Sequence, residues 1–353
     1  MVQRPYFEQV DIQNTKKLRA LLADLPPFVP AFFRGIEPLT SSRTRIAYAY
    51  DLRVFFDFLI NELPTFRERS IQAFTVADLD RITVTNLEEY MEYLKYYVQP
   101  DSEELRDRTN KELGIKRKIA SLKTFYNYYF QKEFIKTNPA ALIKLPKTHE
   151  KAITRLDVDE VAKLLDIVED GGNLTASQKR YHDKTKLRDL ALLTLMLGTG
   201  IRVSECVGLD LSDLDFRNGG IRIHRKGGKE VVVYFGDEVE EALLAYLEER
   251  KQIIPESGHE QALFLSLQKK RIGVRSVENL VKKYSRQVTT LKNITPHKLR
   301  STYGTNLYRE TDDIYLVADV LGHSDVNTTK KHYAALEDER RRSARNKVRL
   351  RRD

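Results

Sequence analysis

The 23 residues from Leu187 to Leu209, LRDLALLTLMLGTGIRVSECVGL, set the architecture of the second half of this chain. The first eleven are so apolar that we predict a helix at the centre of a domain. Gly198 and Gly200 then break that helix, because glycine adopts backbone conformations that other residues avoid. Arg202 follows at once, and its planar guanidinium suits binding two phosphate oxygens together. The alternative interpretation is an arginine that pairs with Glu205 to close the turn.

Downstream of this stretch, IRIHRKGGKEVVV (221–233) predicts a β-hairpin. Two runs, Ile221–His224 and Glu230–Tyr234, alternate or are rich in β-branched residues, and a Lys-Gly-Gly-Lys turn separates them. Lys226 lies at the tip, where glycines let the backbone approach a ligand closely. A lysine there can give a proton to a leaving alkoxide. The alternative is an ordinary surface turn.

Two later segments also carry candidate groups, ITPHKLRSTYGTNLY (294–308) and VLGHSDVNTTKKHYAAL (320–336). His297 and Arg300 are three apart, so on a helix they share one face. His323 directly follows a predicted helix end. Tyr333 lies on a further predicted helix beside lysines, which would stabilise its phenolate and aid attack on phosphorus. Taken singly, each of these residues is equally well explained by surface or core contacts.

The first 150 residues predict helices only. Apolar residues recur at helical spacing in three stretches, and in the third of these Lys116, Lys118 and Lys123 fall largely off the apolar side. Thr40-Ser41-Ser42 (40–42) supplies capping residues before the first of these stretches. A short helix at Asn14–Asp24 precedes them. The predicted apolar positions are Ile46, Tyr50, Val54 and Phe58, then Leu87, Tyr90, Met91 and Leu94, and finally Ile115, Ile119, Leu122, Tyr126 and Tyr129.

The segment NPAALIKLPKTHEKAIT (138–154) reads as a linker, since its prolines cannot continue a helix. We therefore expect two domains, residues 1–147 and 148–353. The first is helical, and the second is mostly helical with a small antiparallel sheet. The fold class is mainly α.

Composition is typical of a globular protein, with 41% hydrophobic and 31% charged residues. No apolar run is long enough for a membrane span, and the N-terminus lacks a secretory leader, so we expect a cytoplasmic protein. Cys206, the single cysteine, excludes internal disulfides and a cysteine-based metal cluster. The net charge is +9, and two separate segments, 115–147 and 337–353, are strongly basic. That distribution favours a polyanionic partner.

The order of these residues resembles that of the tyrosine recombinase (phage integrase-like) family. The stretches GTGIRVSE (198–205), HKLR (297–300) and LGHSDVNTT (321–329) match its motifs. RTNKELGIKRKIASLKTFYNYYF (108–130) and the linker resemble its N-terminal DNA-clamping domain. The resemblance spans nearly the whole chain, and within the family it points to bacterial Xer-type recombinases.

The resemblance implies a site-specific DNA recombinase that works through a 3′-phosphotyrosine intermediate. Tyr333 would be the nucleophile, and Arg202 and Arg300 would clamp the scissile phosphate. Lys226 would protonate the leaving 5′-oxygen. His297 would assist proton transfer to or from the tyrosine.

The phosphate would receive a further hydrogen bond from His323. Tyr333 lies ten residues after His323, whereas many members have nine, so His332 occupies the commoner slot. Tyr308 and Tyr315 are the alternative nucleophiles.

Supporting and DNA-contacting residues complete the expected site. Glu205 would brace the turn at the first arginine. No metal and no cofactor is expected. Phosphate contacts in the N-terminal domain and linker would come from Arg43, Lys116, Arg117, Lys118, Lys123 and Lys147.

The resemblance also implies partners. The two domains would close as a clamp on a double-stranded recombination site, with four protomers acting across two sites. Ala335–Val348 would be a C-terminal exchange helix that docks on a neighbouring subunit. The protein would be cytoplasmic and associated with the nucleoid, and the sequence identifies no accessory protein.

Four rival interpretations remain open. Asp210, Asp213 and Asp215 could hold Mg²⁺ in a metal-dependent nuclease, although their spacing suits turn capping better. Histidines 297, 323 and 332 could hold zinc, but no cysteine supports such a site. A catalytically inactive DNA-binding regulator and a type IB topoisomerase-like enzyme are the other two.

Overall fold

The computed structural model describes residues 5–101, 104–147, 154–172, 174–225, 228–322 and 326, with 99–101 and 104–106 described by their main chain only. The chain divides into two compact units, Met1–Glu150 and Lys151–Asp353. Both units are mainly helical and each has one small antiparallel sheet. The predicted fold class, mainly α with two domains, is confirmed.

The N-terminal unit contains six α-helices and one hairpin in its described part. Three short 3₁₀ segments, at Glu37–Leu39, Ile71–Ala73 and Val76–Arg81, connect them. In chain order the elements are α1 (Tyr6–Ala23), α2 (Val29–Ile36), α3 (Ser42–Glu62), α4 (Val84–Tyr93), β1 (Tyr96–Asp101), β2 (Glu104–Thr109), α5 (Glu112–Gln131) and α6 (Pro139–Leu142).

Aromatic rings fill the centre of this unit. Phe125 of α5 lies 5.2 Å from Phe32 of α2 and 5.1 Å from Tyr129, between ring centroids and in edge-on geometry. Phe28 meets Tyr129 at 5.5 Å. Edge-to-face contacts of this kind stabilise beyond the area that they bury. They hold together α2 and α5, which are far apart in the sequence.

Several local predictions for this unit are confirmed, and some are wrong. Ser41 caps α3 by accepting the Thr44 backbone N–H at 3.2 Å. The predicted helix at 14–24 is longer, and it begins at Tyr6. Tyr50, predicted on the apolar side of α3, is exposed and lies beneath the Lys17 ammonium.

The expectation of an all-helical N-terminal half is wrong at the β1–β2 hairpin. Tyr96 pairs with Thr109 and Val98 with Asp107 in an antiparallel register. Tyr96 also donates from its hydroxyl to Asp107 at 3.0 Å. Pro100 and the acidic residues near it interrupt the alternation that normally announces a strand.

The C-terminal unit is a helical domain with a three-stranded sheet. Its described elements are α7 (Val158–Asp170), α8 (Ala176–His182), α9 (Lys186–Thr199), α10 (Val203–Gly208), β3 (Leu214–Asp215), β4 (Gly220–His224), β5 (Glu230–Tyr234), α11 (Asp237–Lys251), α12 (Val274–Val288), α13 (Pro296–Thr311) and α14 (Ile314–Leu321).

Helix α9 is the central element, as its sequence predicts. Residues 191–196 are buried without interruption, and the helix packs against α7, α11 and α13. The predicted β4–β5 hairpin is confirmed, with Ile221 opposite Val233. The short strand β3, which was not predicted, adds to β4 at its outer edge. None of the helices described is both long and apolar enough to cross a membrane.

Candidate active site

The end of α9 is shaped by Gly200. This residue has φ +64°, in the left-handed region that favours glycine. A Cβ here would clash with the Tyr303 ring and come within 3.0 Å of Leu321 on α14. The chain therefore turns sharply after α9, at a point where Gly200 lies against α13 and α14. Arg202 follows at the start of α10.

Arg202 is held by Glu205 and by the end of α14. The Arg202 backbone N–H donates to Glu205 Oε2 at 2.7 Å, and Nη1 donates to Oε1 at 2.8 Å. Nη2 donates to the Gly322 carbonyl at 3.3 Å. Glu205 is buried, whereas the Arg202 side chain remains 40% exposed. Glu205 thus braces the turn and leaves one side of the guanidinium open.

The second arginine, Arg300 on α13, is buried and lies at the same place. Its Nη1 donates to the Gly200 carbonyl at 2.6 Å, and its Nη2 donates to the Leu321 carbonyl. It therefore connects the end of α9 to the end of α14. Arg202 and Arg300, which are about a hundred residues apart in sequence, bind adjacent carbonyls of one helix end.

A third guanidinium, which the sequence analysis missed, joins them. Arg225 directly follows β4, and it donates from Nη2 to the Val320 carbonyl at 2.7 Å and from Nη1 to Asp319 at 3.4 Å. Its place beside Lys226 at the end of a strand was the available signal.

Four consecutive carbonyls, 319–322, thus accept hydrogen bonds from three guanidiniums. The C-terminus of a helix carries partial negative charge, and its last carbonyls have no partner within the helix. Guanidiniums placed there offset the partial negative charge and donate hydrogen bonds to these carbonyls. His323 is the next residue in the sequence.

The remaining predicted catalytic residues are placed as follows. His297 is exposed in the first turn of α13, while Arg300, one turn later, is buried. The two residues share a face of α13, as their spacing predicts, but His297 lies at the surface and Arg300 in the core. Lys226, His323 and Tyr333 lie outside the described residues, as does the predicted exchange helix.

The two alternative tyrosines differ from each other in their surroundings. Tyr308 is buried in a small core with Ile314, Val317 and Leu321. Tyr315 is exposed in the first turn of α14, about 9 Å along the axis from the carbonyls at its other end. Both geometries fit packing or surface roles.

Cys206 follows Glu205 and is fully enclosed. Burial raises the pKa of its thiol far above the ordinary value, and Glu205 adds to the effect. A thiolate nucleophile is therefore not available at this turn.

The three aspartates of LDLSDLDF cap turns. Asp210 pairs with Arg271, and Asp213 lies 3.3 Å from Arg222 Nε. Asp215 accepts from the backbone N–H groups of residues 217 and 218. Across the described parts of the chain, no three His, Cys, Asp or Glu side chains cluster as a metal site.

The basic residues of α5 differ in their surroundings. Lys118 is wrongly predicted to lie off the apolar side, because it is buried and donates to Asp51 at 3.1 Å. Arg117 binds the same carboxylate through two nitrogens, at 2.6 and 2.7 Å. Lys123 donates to the Ile143 carbonyl at 3.0 Å. By contrast, Arg43, Lys116 and Lys147 have exposed side chains, and Arg117 keeps about half of its side chain exposed beside Asp51.

Comparison with known sequences places this geometry in a family. Residues 154–340 match the model described as the phage integrase family. The tyrosine recombinase XerC of Caldanaerobacter subterraneus subsp. tengcongensis is 33% identical over 335 residues, covering 91% of this chain and 86% of the relative. The tyrosine recombinase XerD of Oceanobacillus iheyensis is 29% identical over 299 residues, covering 84% of this chain and 89% of the relative.

Solved structures share the fold. The XerH recombinase bound to a palindromic difH substrate matches with TM-score 0.62 and 20% identity, over 87% of this chain and 80% of that one. A lambda integrase dimer bound to a COC′ core site matches with TM-score 0.59 and 16% identity, over 92% and 97%. Together with the sequence matches, they confirm the family that the motifs predicted: the chain belongs to the phage integrase family of tyrosine recombinases, with Xer-type relatives.

Proposed function

We propose that this protein cuts and rejoins DNA at a specific site through a covalent 3′-phosphotyrosine link. The Tyr333 oxygen attacks the scissile phosphorus as the bond to the 5′-oxygen breaks, and a 5′-hydroxyl of a partner strand later reverses the step. One phosphoester replaces another, so the reaction balances without ATP or another cofactor.

The observation that carries this proposal is the meeting of Arg202 and Arg300 at one helix end. In the transition state, negative charge grows on the non-bridging phosphate oxygens, and fixed donors stabilise it most effectively. Arg300 is immobilised by two carbonyls from different helices. Arg202 is braced by a buried carboxylate but keeps an open side. Such a pair is suited to gripping a phosphate.

Proton transfer is assigned to the three remaining groups. Lys226 gives a proton to the departing 5′-oxygen, and His297 assists transfer at the tyrosine hydroxyl. His323 follows the carbonyls that hold the arginines, and it donates a hydrogen bond to the phosphate. These roles rest on the family motifs and on the position of each residue in the sequence.

The N-terminal unit supplies phosphate contacts in this proposal. Arg43, Lys116 and Lys147 are exposed and can each neutralise one phosphate, which makes binding strongly dependent on salt. Arg117 keeps about half of its side chain exposed beside Asp51, so it can contribute in part. Lys118 is reassigned to stabilising the unit itself.

Larger-scale organisation is proposed from the relatives. Residues 1–147 form the DNA-binding domain and 148–353 the catalytic domain, and together they act as a clamp on duplex DNA. Four protomers act on two sites, linked through Ala335–Val348. The protein works in the cytoplasm at the nucleoid, in chromosome dimer resolution or in the movement of a mobile element.

The test is covalent trapping on a nicked duplex that carries the host's candidate recombination sites. The nick lets the short cleaved fragment diffuse away, so the protein–DNA adduct accumulates and runs as a separate band on a denaturing gel. We expect an adduct with the wild type and none with Tyr333→Phe, while both bind the DNA equally. Tyr308→Phe is the matched control and should form the adduct.

Three results would contradict the proposal. An adduct with Tyr333→Phe would move the nucleophile elsewhere. The absence of an adduct with the wild type at every site would indicate a regulator that only binds DNA. Relaxation of a supercoiled plasmid lacking any such site would indicate a topoisomerase.

A further inference from the structure

We propose that Arg225 is a positioning residue, which fixes the loop carrying Lys226 against the C-terminal end of α14. The proposal rests on the function given above, in which Lys226 is the proton donor to the 5′-oxygen. Arg225 itself does not touch the reacting atoms.

The main chain of Arg225 closes the base of the β4–β5 connection. Its N–H donates to the Lys229 carbonyl at 2.8 Å, and its carbonyl accepts the Gly228 N–H at 3.2 Å. Only residues 226 and 227 lie between Arg225 and Gly228. These hydrogen bonds of Arg225 therefore anchor the described base of the connection in which Lys226 lies in sequence.

The side chain of Arg225 ties this closed loop to a distant helix. Its guanidinium bonds the carbonyls of Val320 and Asp319, which are 95 and 94 residues away in sequence. A planar fork with several donors can span two successive carbonyls, whereas a lysine ammonium cannot match that geometry. The arginine therefore fixes both the distance and the orientation of the loop base relative to the end of α14.

Gly322 leaves the space that this contact needs. Its φ of +62° lies in the left-handed region, and a Cβ at this position would clash with the Arg225 guanidinium. The glycine thus ends α14 and admits the arginine at the same point. Its carbonyl meanwhile accepts from Arg202.

The four carbonyls at the end of α14 therefore fix three arginines, from three different elements, relative to one another. The first two carbonyls hold the loop through Arg225, and the next two hold Arg300 and Arg202. Helical residues rise by about 1.5 Å each, so these contacts fall within about 5 Å along the axis. A proton donor must be placed to a fraction of an ångström relative to the phosphate grip, and misplacement by about 1 Å costs up to about a hundredfold in rate.

The experiment separates proton donation from phosphate binding. Nicked duplexes of the trapped site are made with either oxygen or sulfur as the bridging atom at the scissile position. A thiolate leaves without receiving a proton, because thiols are far more acidic than alcohols, so the sulfur substrate does not need Lys226. Rates of adduct formation are compared for the wild type, Arg225→Ala, Arg225→Lys and Lys226→Ala, with Arg217→Ala as an exposed control beside the same sheet.

We expect Arg225→Ala to slow adduct formation by about tenfold to a hundredfold with oxygen and to approach the wild-type rate with sulfur. Lys226→Ala should show the same pattern more strongly, Arg225→Lys should fall between, and Arg217→Ala should lose little with either substrate. DNA binding and the melting temperature, measured on the same samples, confirm that each variant is folded.

An equal loss with both substrates for Arg225→Ala overturns the proposal, since the residue would then serve the phosphate or the fold. If that loss occurs while Lys226→Ala is rescued by sulfur, Arg225 alone is wrongly assigned. If Lys226→Ala is not rescued, the proton donor is wrongly assigned and the inference falls with it. If the wild type forms no adduct with either substrate, the proposed function itself fails.

Discussion

Two clusters of basic side chains, one in each unit of this protein, are held in opposite ways. In the N-terminal unit, Arg117 and Lys118 share the carboxylate of Asp51, which is almost completely buried. In the C-terminal unit, Arg202, Arg225 and Arg300 donate to neutral main-chain carbonyls at the end of α14, and the Glu205 carboxylate also braces Arg202.

The difference lies in how much positive charge remains for a ligand. A carboxylate cancels one full charge of the pair that it binds. Carbonyl dipoles orient a guanidinium and satisfy its donors while leaving its net charge intact. We infer that the first arrangement stabilises a fold and that the second keeps charge available for a phosphate. Substitutions in the two clusters test whether carbonyl-held and carboxylate-held cations differ in this way.

The largest effect is expected for Arg300→Ala. The substitution removes a fixed donor from the transition state and should reduce cleavage by about a hundredfold or more. Arg250→Ala is the matched control, because Arg250 is equally buried and also donates to carbonyls, those of Ala262 and Glu260, but not to those at the end of α14 that hold Arg202 and Arg300. Single-turnover adduct formation, measured below both melting temperatures, checks the difference.

Both of these variants leave buried carbonyls unsatisfied, so both should lose stability to a similar degree. Only Arg300→Ala should also lose chemistry. An equal loss of cleavage in the two variants would mean that Arg300 is a structural arginine, and the contrast between the units would disappear.

The next effect is on stability and concerns Asp51→Asn. Removing the charge leaves Lys118 buried without its anion, which costs about 3 kcal/mol of unfolding free energy. The double variant Asp51→Asn with Lys118→Met should recover most of this, since the unpaired ammonium is gone. Urea unfolding of the full chain measures both. A loss below about 1 kcal/mol for the single variant would show that the carboxylate of Asp51 does not stabilise the N-terminal unit, and the proposed difference from the carbonyl-held arginines would then be lost.

Local signals predicted much of this fold. Four features depend on only a few adjacent residues, and each is observed: the apolar run of α9, the glycines after it, the Ser41 cap and the β4–β5 hairpin. The β1–β2 hairpin was missed because its sequence lacks clean alternation. Helix α2 was missed because its proline at the first turn reads as a break, although that position tolerates proline.

Contacts over long sequence separations were beyond such signals. Lys118 looks like a solvated residue until Asp51, 67 positions earlier, is brought beside it. In the sequence, Arg225 is one more charged residue near a turn, and only the fold shows that it binds the carbonyls of α14. The motifs could name Arg202 and Arg300 as partners, but only the fold shows that one helix end holds both.

A smaller effect is expected on DNA binding. Lys116→Ala and Lys147→Ala should each weaken binding to duplex DNA a few-fold and reduce the salt dependence by about one unit of slope. Lys118→Met should leave that slope unchanged, because Lys118 is buried against Asp51 and does not reach a phosphate. Titrations at several salt concentrations would check this. An equal decrease for Lys118→Met would mean that the buried lysine still reaches the phosphate field.

The smallest effect concerns Lys292, which repeats the carboxylate pairing of the N-terminal unit on an open surface. Its ammonium donates to Glu160 at 2.5 Å and to Asp157 at 2.9 Å. The hydrogen bond from Lys292 lowers the pKa of Asp157, and bonds to the two carboxylates raise the pKa of Lys292. Water screens both groups, so Lys292→Met should cost less than about 1 kcal/mol near pH 7.

The signs of these shifts set the pH window of that contribution. A carboxyl with a lowered folded pKa stabilises above its unfolded pKa of about 3.9 and loses that effect as the pH falls through the folded value. An ammonium with a raised pKa stabilises until the pH exceeds about 10.4. The wild type and Lys292→Met should thus differ across neutral pH and converge in acid, as the pH falls through the lowered pKa of Asp157. Unfolding at several pH values checks this, with exposed Lys282→Met as the control. A difference as large as that for Asp51→Asn would show that burial is not what separates the two carboxylate-held cations.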